Sequence, residues 1–208
     1  IMCLMKLLKN KFKLIVSERN TTQKIGYLER IQFYFYKWAD LIVPNSNAQG
    51  EFIKENFANL YSKVKVITNF VDTDKFSPSN DIMSKHKTTN IICVGRLMPQ
   101  KNIIRFIDAV KMLVDKKCDI HIDWFGQDLE DAYSKKIKQK ISDSNLKQVF
   151  KFHIPTSSIQ EEYRKADVFC LPSLYEGFPN VLCEAMSCGK PVLCSNVCDN
   201  HTIVSEGI

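Results

Sequence analysis

Residues 168–194 read VFCLPSLYEGFPNVLCEAMSCGKPVLC, and this stretch decides the fold. It begins with an apolar run, Val168–Leu171, and ends with another, Pro191–Cys194. Between the two runs, a turn with glycine and proline opens a segment of helical period, Asn180–Cys188. A strand, a helix and a second strand form the repeating unit of a parallel sheet. Because both runs are apolar on both faces, they predict strands that are buried on both faces.

The same alternation of strand and helix patterns runs upstream of this stretch. It predicts a domain of α/β class, with a doubly wound parallel sheet, over residues 88–208. The predicted strands are Ile91–Val94, His121–Phe125 and Val149–Ile154, and the predicted helices are Lys101–Lys116, Leu129–Ile141 and Ser158–Lys165.

A second α/β segment precedes this domain. Its predicted strands are Phe12–Ser17, Asp40–Pro44 and Val64–Phe70, and its predicted helices are Lys24–Trp38 and Asn47–Phe57, the second capped by Ser46 or Asn47. Residues 72–87 lose the apolar period and fill with polar residues, which predicts a linker. We therefore expect the end of an N-terminal domain over residues 1–71, a linker over 72–87 and a second domain over 88–208. The chain begins without methionine and stops soon after a strand, so we expect a piece of a longer protein.

Composition excludes several classes of protein. The chain has 208 residues, of which 45% are hydrophobic and 25% charged, and this balance excludes disorder, collagen and coiled coil. The net charge of +6 is spread along the chain, whereas a nucleic-acid-binding protein concentrates basic residues, so we expect no nucleic-acid partner. No apolar run reaches the roughly 18 to 20 residues that a membrane span needs. Lysines and leucines at helical spacing over residues 2–13 leave two alternatives open: contact with an anionic membrane surface, or a helix packed on a sheet.

The chain has eight cysteines, and their spacing predicts free thiols. Four of them, Cys183, Cys188, Cys194 and Cys198, lie close together, but they lack the paired two-residue gaps of a zinc site. Free cysteine behaves as a small buried hydrophobic residue. Reduced thiols indicate a cytoplasmic protein.

The first group of polar residues that packing alone does not explain follows a predicted strand. Gly95 ends that strand, Arg96 comes next, and Lys101 is expected to open the following helix. Ligands of open α/β sheets bind beyond the carboxyl ends of the strands. Because a helix N-terminus carries partial positive charge, two cations there are unfavourable unless an anion lies between them. The alternatives are a phosphate site and two side chains that simply extend into solvent.

The second group surrounds the turn at the start of the helix Asn180–Cys188. Glu176 lies just before the helix, and the backbone N–H groups of residues 177–181 are expected to converge on a bound group. Glu184 shares a helix face with Val181 and Cys188, where an unpartnered carboxylate is costly. A pair of sugar hydroxyls would be a suitable partner for Glu184. The alternatives are a helix-dipole carboxylate for Glu176 and a buried salt bridge for Glu184.

Other motifs are absent from the sequence. There is no G-x-G-x-x-G, no G-x-x-x-x-G-K-[ST] and no G-x-S-x-G. The four histidines form no pair with ligand spacing, but His153 ends a strand at the expected ligand edge and is a candidate nucleotide contact. The loops at residues 126–127 and 152–154 are expected to set base selectivity.

These residues resemble a known family, the group 1 (family 4) retaining glycosyltransferases of GT-B fold. The segment EGFPNVLCEAMSCGKPV, preceded by ADVFCLPSLY, is similar to the family signature with two glutamates, matched by Glu176 and Glu184. VGRLMPQKNI resembles the family's G-R-x-x-x-x-K segment, matched by Gly95, Arg96 and Lys101. ADLIVPNS, VKVITNFVDTDKFSP and SERN are also similar to family segments, so the resemblance covers nearly the whole chain.

The resemblance implies an enzyme that transfers a sugar from a nucleotide-diphosphate sugar to an acceptor, with retention at the anomeric carbon. It implies that Arg96 and Lys101 hold the diphosphate and stabilise the leaving group, that Glu176 contacts the donor sugar, and that Glu184 binds the ribose hydroxyls. Backbone N–H groups of Gly177, Phe178 and Asn180, with Val181 beside them, would face the sugar and phosphate. No metal and no cofactor are expected, since cationic side chains and a helix terminus would replace the metal.

The resemblance implies that the N-terminal domain supplies the acceptor site, and we expect most of that domain to lie outside this chain. We also expect the C-terminal domain to be incomplete at its end, without its last strand and closing helix. We therefore expect the chain alone to bind donor weakly and not to transfer sugar. The acceptor is expected to be a glycan or a lipid-linked glycan of bacterial surface polysaccharide synthesis, in the cytoplasm or at the inner membrane face. A non-catalytic nucleotide-binding module on the same fold is the alternative, and an epimerase of GT-B shape is a third. The donor base and sugar, the acceptor linkage and the oligomeric state do not follow from the sequence.

Overall fold

A computed structural model describes Cys3, Lys6 and residues 12–79 and 87–205. The chain forms two compact units. The first comprises Ile1–Phe70 and Glu176–Pro179, and the second comprises Val71–Tyr175 and Asn180–Ile208.

The first unit is built on two parallel strands, β1 (Ile15–Glu18) and β2 (Leu41–Pro44). The helix α1 (Tyr27–Tyr36) connects them, and α2 (Asn47–Asn56) and a 3₁₀ helix (Ala58–Lys63) follow β2. The hydroxyl of Ser46 accepts a hydrogen bond from the Gln49 N–H at 3.3 Å, so Ser46 caps α2. Phe33 of α1, Ile42 of β2 and Ile53 of α2 are central to the core of this unit.

The predicted strand Val64–Phe70 is wrong, because this segment makes only a single bridge, between Ile42 and Val64. Lys65 N–H donates to the Ile42 carbonyl at 2.9 Å, and Ile67 N–H donates to the Pro44 carbonyl at 3.1 Å. The segment therefore runs beside β2. Not all of its apolar side chains are buried, since Phe70 is 90% exposed and Ile67 is also exposed.

The second unit is a five-stranded parallel sheet in the order β5-β4-β3-β6-β7. Its strands are β3 (Thr89–Val94), β4 (Ile120–Phe125), β5 (Phe150–His153), β6 (Val168–Leu171) and β7 (Val192–Cys194). Its helices are a 3₁₀ helix (Pro99–Lys101), α3 (Ile103–Asp115), α4 (Ala132–Asp143), α5 (Ile159–Lys165), α6 (Asn180–Ser187) and α7 (Asn200–Ile203).

Hydrophobic cores lie on both faces of this sheet. One core joins the strands to α3 and α4, with Ile107, Trp124 and Ile137 buried in it. The other joins them to α5 and α6, with Tyr163 and Leu182 buried in it. The α/β, doubly wound fold predicted from the sequence is therefore confirmed. From β3 the chain moves outward through β4 to β5 and then returns to β6 on the other side of β3, so the topological switch point lies between β3 and β6.

Part of the predicted linker packs on the second unit. Phe76 is buried among the residues of the α5–α6 core, and the Ser187 hydroxyl donates to its carbonyl oxygen. The Arg164 Nε–H donates to the Ser77 carbonyl at 2.8 Å. Residues 80–86 of the predicted linker lie outside the described residues.

Two further expectations concern the whole chain. None of the eight cysteines, all of which lie within the described residues, forms a disulfide bond. Within the described residues, no helix is both long enough and apolar enough to cross a bilayer. Of the lysine- and leucine-rich segment 2–13, only Cys3, Lys6, Phe12 and Lys13 are described, and Lys6 is buried in an ion pair with Asp40 at 3.0 Å.

Candidate functional site

At the carboxyl end of β3, the side chain of Lys101 packs against Gly95. The aliphatic part of the Lys101 side chain lies directly over Gly95, where an added Cβ would be 2.8 Å from Lys101 Cε and 3.0 Å from Cδ. Gly95 is therefore required for the side chain of Lys101 to lie where it does. Arg96, between them in the chain, is exposed to solvent. Of the predicted anion-binding residues, Gly95 and Lys101 are thus in direct contact.

Lys101 does not open a helix, which corrects the sequence-based prediction. It ends the 3₁₀ helix Pro99–Lys101, and α3 begins two residues later at Ile103. Asn102, between them, has a left-handed backbone with φ of 56°, which turns the chain before α3 starts. The short turn therefore separates the lysine from the first turn of α3.

The carboxyl ends of the three strands β3, β4 and β5 are held together by backbone contacts. Gly95 N–H donates to the Phe125 carbonyl at 2.9 Å, and Gly126 N–H donates to the His153 carbonyl at 3.0 Å. An added Cβ at Gly126 would be only 2.0 Å from the Gly95 carbonyl oxygen. Glycine at position 126 therefore permits an approach of two backbones that no other residue allows.

Gln100 joins the loop after β3 to the loop after β6. The Leu174 N–H donates to the Gln100 carbonyl at 2.8 Å, and the Gln100 side-chain amide donates to the Tyr175 carbonyl at 2.9 Å. The residue after Tyr175 is Glu176. These two bonds span the switch point and fix the loop with Lys101 against the segment that leads to Glu176. Sequence reasoning missed Gln100, because nothing distinguishes it from other polar residues of a turn.

The predicted residues of the following turn, Glu176, Gly177 and Phe178, belong to the first compact unit. Glu176 is buried, with 7% of its surface exposed. An added Cβ at Gly177 would be 2.5 Å from the Arg19 carbonyl oxygen, so this glycine too permits a close backbone approach. Arg19 belongs to SERN, a segment of the family resemblance.

The helix α6 carries Asn180, Val181 and Glu184. Asn180 is exposed, and Val181 is partly buried and packs against the α5–α6 core. Glu184 is half-buried and accepts a hydrogen bond from the Tyr163 hydroxyl at 3.1 Å. Burial raises the pKa of Glu184, while the bond from Tyr163 acts to lower it. The partner of Glu184 described here is thus a phenol, whereas the alternative considered from the sequence was a buried salt bridge.

His153 ends β5, at the edge where the sequence predicts it. Its Nε2 lies 2.6 Å from Asp123 Oδ1, and its ring stacks on Phe125 with a centroid distance of 4.4 Å. His121 lies 3.5 Å from the same carboxylate oxygen. These contacts fix the orientation of the His153 ring. Sequence reasoning missed Asp123, although its position two residues after His121 puts both on one face of the strand.

Ser173 is the third site residue that sequence reasoning missed. It follows the carboxyl end of β6 at the switch point and is buried. Its hydroxyl has no hydrogen-bond partner among the described residues. Because buried hydroxyls are normally bonded, this oxygen is an exception within the part of the chain that the structure describes.

A doubly wound parallel sheet with the strand order β5-β4-β3-β6-β7 defines a Rossmann-like class of domain. The family model described as glycosyl transferases group 1 matches residues 74–208. The chain belongs to this family.

Two curated relatives match over most of the chain. The first, from Escherichia coli, is a UDP-Gal:alpha-D-GlcNAc-diphosphoundecaprenol alpha-1,3-galactosyltransferase, 30% identical over 195 residues that cover 82% of this chain and 48% of the relative. The second, from Campylobacter jejuni, is an N-acetylgalactosamine-N,N'-diacetylbacillosaminyl-diphospho-undecaprenol 4-alpha-N-acetylgalactosaminyltransferase, 28% identical over 198 residues that cover 90% of this chain and 52% of the relative. The chain spans about half the length of these relatives.

Solved structures share the fold. The structure of Anabaena HepE in complex with UDP and glucose superposes with a TM-score of 0.85 at 23% identity, covering 100% of this chain and 59% of that one. The pneumococcal O-GlcNAc transferase GtfA, in complex with UDP and GlcNAc, has a TM-score of 0.75 at 21% identity, covering 94% of this chain and 40% of that one. The GT-B type of fold predicted from the sequence is confirmed.

Proposed function

We propose that the chain is the donor-binding part of a retaining glycosyltransferase. The enzyme would transfer a hexose from a nucleotide-diphosphate sugar to a glycan or lipid-linked acceptor in bacterial surface polysaccharide synthesis, at the inner membrane face. Family membership supports this proposal, as do the names of the two relatives, both of which act on diphosphoundecaprenol-linked sugars.

The observation that carries the proposal is the pair of hydrogen bonds made by Gln100 across the switch point. The bonds hold the loop of Arg96 and Lys101 beside the segment that leads to Glu176. A diphosphate at the loop after β3 would be bound by the two cations Arg96 and Lys101, and charge-assisted hydrogen bonds of this kind are about twice as strong as neutral ones. The same cations would stabilise the negative charge that develops on the leaving nucleotide.

The other site residues have proposed roles at the two ends of the donor. Glu176 would contact the transferred sugar, with the backbone N–H groups of Gly177 and Phe178 beside it. Asn180 and Val181 would present the first N–H groups of α6, since a helix N-terminus favours an anion.

Glu184 would bind the ribose hydroxyls. A carboxylate offers two oxygens and about four acceptor sites, so one bond from Tyr163 leaves capacity for two hydroxyl donors. His153, held by Asp123, would contact the base. Since cationic side chains supply the charge at the diphosphate, the proposed mechanism needs no metal and no cofactor.

The test is a donor screen on a protein of the relatives' length that carries these 208 residues. Lys101→Ala and Glu176→Gln are each expected to lower kcat/KM by about 10²–10³, the usual effect of removing a group that stabilises charge in the transition state. Matched controls are Lys135→Ala on α4 and Glu161→Gln on α5, both exposed residues, and they should leave kcat/KM unchanged. Equal activity of all four variants would refute the site assignment. The anomeric configuration of the product, read by NMR, tests retention.

The same assay separates the alternatives. A non-catalytic nucleotide-binding module predicts binding of a nucleoside diphosphate but no transfer with any donor. An epimerase predicts isomerisation of the donor in the absence of an acceptor.

A further inference from the structure

The buried tryptophan of β4 is hydrogen-bonded to the loop that follows β3. Trp124 is 1% exposed, and its indole Nε1–H donates to the Gly95 carbonyl at 2.8 Å. Ile122 lies on the same face of β4 and is buried in the same core with an aliphatic side chain. An aliphatic residue at position 124 could not make this bond, whereas a buried indole N–H requires an acceptor. The acceptor here belongs to a residue of the proposed diphosphate site.

The Gly95 carbonyl is held from a second side as well. An added Cβ at Gly126 would be 2.0 Å from this oxygen, so the backbone after β4 packs directly against it. The Gly95 N–H donates to the Phe125 carbonyl at 2.9 Å. Residues 124–126 therefore fix both backbone polar groups of Gly95.

Arg96 lies between two residues that are held in this way. The Leu97 N–H donates to the Gln127 carbonyl at 3.0 Å, and the Leu97 side chain is buried in the core that contains Trp124. Arg96 itself is exposed. Because the peptide bond between Gly95 and Arg96 is trans, the Arg96 N–H points away from the carbonyl that accepts from the tryptophan. The bond from Trp124 therefore sets the direction in which the backbone enters Arg96.

The side chain of Lys101 depends on the same peptide unit. Its aliphatic carbons cover Gly95, where an added Cβ would be 2.8 Å from Lys101 Cε and 3.2 Å from Cγ. A rotation of the Gly95 peptide unit would change the backbone surface on which the Lys101 side chain lies. Both cations of the loop are thus placed with reference to one peptide unit.

We infer that Trp124 is a positioning residue of the proposed diphosphate site: its indole N–H fixes the peptide unit of Gly95, which places Arg96 and Lys101 for a diphosphate. The inference rests on the proposed function and adds a residue to it. Because Trp124 is buried in the core, it acts through Gly95 and does not contact the ligand. A loop that is held before the ligand arrives loses less conformational freedom on binding, which increases affinity.

The alternative is that Trp124 only fills the core. Its ring stacks on that of Phe150, with centroids 6.4 Å apart, and lies 5.9 Å from that of Phe106. The two roles predict different dependence on the ligand. A loss of core packing would weaken the binding of a nucleoside diphosphate and of its monophosphate alike. A loss of the bond to Gly95 would weaken the diphosphate more, because the monophosphate lacks one of the phosphates that the two cations would hold.

The test uses a protein of the relatives' length that carries these 208 residues. UDP, ADP, GDP and dTDP are titrated into it by calorimetry, and the diphosphate that binds is then compared with its monophosphate. Trp124→Phe keeps an aromatic ring in the core and removes the N–H. We expect the affinity for the diphosphate to fall about tenfold, the size of effect that the loss of one hydrogen bond produces. The affinity for the monophosphate should fall less than about threefold, since fewer charge-assisted bonds are affected.

Phe150→Leu is the matched control. Phe150 is buried at the start of β5 against the Trp124 ring, and its side chain has no hydrogen-bond donor. Phe150→Leu should lower the free energy of unfolding but leave the ratio of the two affinities unchanged. In a double-mutant cycle, Trp124→Phe should have a smaller effect on diphosphate binding once Lys101 is alanine.

Three results would overturn the inference: a folded Trp124→Phe variant that binds the diphosphate as the unchanged protein does, equal losses for the diphosphate and the monophosphate, or the same change of ratio in Phe150→Leu. If Trp124→Phe does not fold, NMR of the unchanged protein decides. The indole N–H signal of Trp124, assigned through its contacts with the rings of Phe106 and Phe150, should shift when the diphosphate is added. An unchanged signal would overturn the inference.

The proposed function fails in a different way. If Trp124→Phe has no effect but Lys101→Ala still lowers kcat/KM, the inference is wrong and the proposed transferase stands. If the unchanged protein binds none of the four diphosphates, the proposed function is refuted, and the inference with it.

Discussion

Two glycine-to-alanine substitutions at the carboxyl ends of β3 and β4 should affect different properties of the protein. Gly126→Ala should mainly lower its stability, and Gly95→Ala should mainly weaken nucleotide binding. At Gly126 the new Cβ would be 2.0 Å from the Gly95 carbonyl oxygen and 2.6 Å from its carbonyl carbon, so backbone must move. The movement would strain the neighbouring bonds to Phe125 and His153, each worth about 1 kcal/mol. With overpacking of about 1–3 kcal/mol, Gly126→Ala should lower the free energy of unfolding by about 2–5 kcal/mol.

At Gly95 the new Cβ would instead meet three carbons of the Lys101 side chain, at 2.8, 3.0 and 3.2 Å. A flexible side chain can swing away, so Gly95→Ala should change the free energy of unfolding by less than about 1 kcal/mol. The ammonium of Lys101 would leave its position, however. Binding of a nucleoside diphosphate should therefore weaken nearly as much as it does in Lys101→Ala.

Urea unfolding and calorimetry of nucleotide binding, in a protein of the relatives' length, measure both quantities. The double variant supplies the control: if Gly95→Ala acts only through Lys101, it should have no further effect on binding once Lys101 is alanine. Additive losses from the two substitutions would refute the reasoning. So would a Gly95→Ala variant that binds nucleotide as well as the unchanged protein.

Two further predictions concern ionisable groups. Burial raises the pKa of Glu184, so the folded protein holds this proton more tightly than the unfolded chain does, and stability should fall as the pH rises above 4.5. In urea unfolding, Glu184→Gln should remove that pH dependence, whereas the control Glu161→Gln should leave it unchanged. Tyr163→Phe should lower the free energy of unfolding by about 1–3 kcal/mol at neutral pH, because the carboxylate of Glu184 loses its hydrogen-bond donor. Hydrogen bonding to Lys138 holds the pKa of Asp128 at about 2, so the stability gained from this pair should be lost as the pH falls from about 4 to 2. Because Lys138 is 57% exposed and Asp128 is 30% exposed, Asp128→Asn should cost less than about 1 kcal/mol at pH 7. The cost should be smaller at pH 2, where the carboxyl group is about half protonated, and a larger loss at either pH would contradict this explanation.

Most of the second unit could be predicted from the sequence because its strands are short, apolar and separated by amphipathic helices. The strand Val168–Leu171 was predicted with its observed bounds. The predicted strand Val64–Phe70 failed because a run of β-branched residues indicates extended backbone, not a partner strand. The order of the strands depends on long-range pairing, which no local pattern contains.

In the candidate site too, the residues that could be predicted are those defined by local spacing, and the residues that were missed depend on long-range contacts. Gly95, Arg96 and Lys101 could be proposed from the sequence because their spacing within one loop is a local feature, and the contact of Lys101 with Gly95 agrees with their grouping. Gln100 and Asp123 could not, because their roles are contacts with residues 75 and 30 positions away in the chain. Residue types that are ordinary in turns and strands acquire a role only when the fold brings the partner to them.

The residues around Lys101 explain how a positively charged side chain can lie near the N-terminus of α3, where the partial positive charge of the helix repels it. The first N–H groups of α3 already place partial positive charge beyond β3, and a lysine at that end adds to it. Three features nevertheless direct the side chain there: the 3₁₀ turn that ends at Lys101, the left-handed Asn102, and the space over Gly95. Under the proposed function, the 3₁₀ turn, the left-handed Asn102 and the space over Gly95 would together direct the side chain of Lys101 toward the diphosphate.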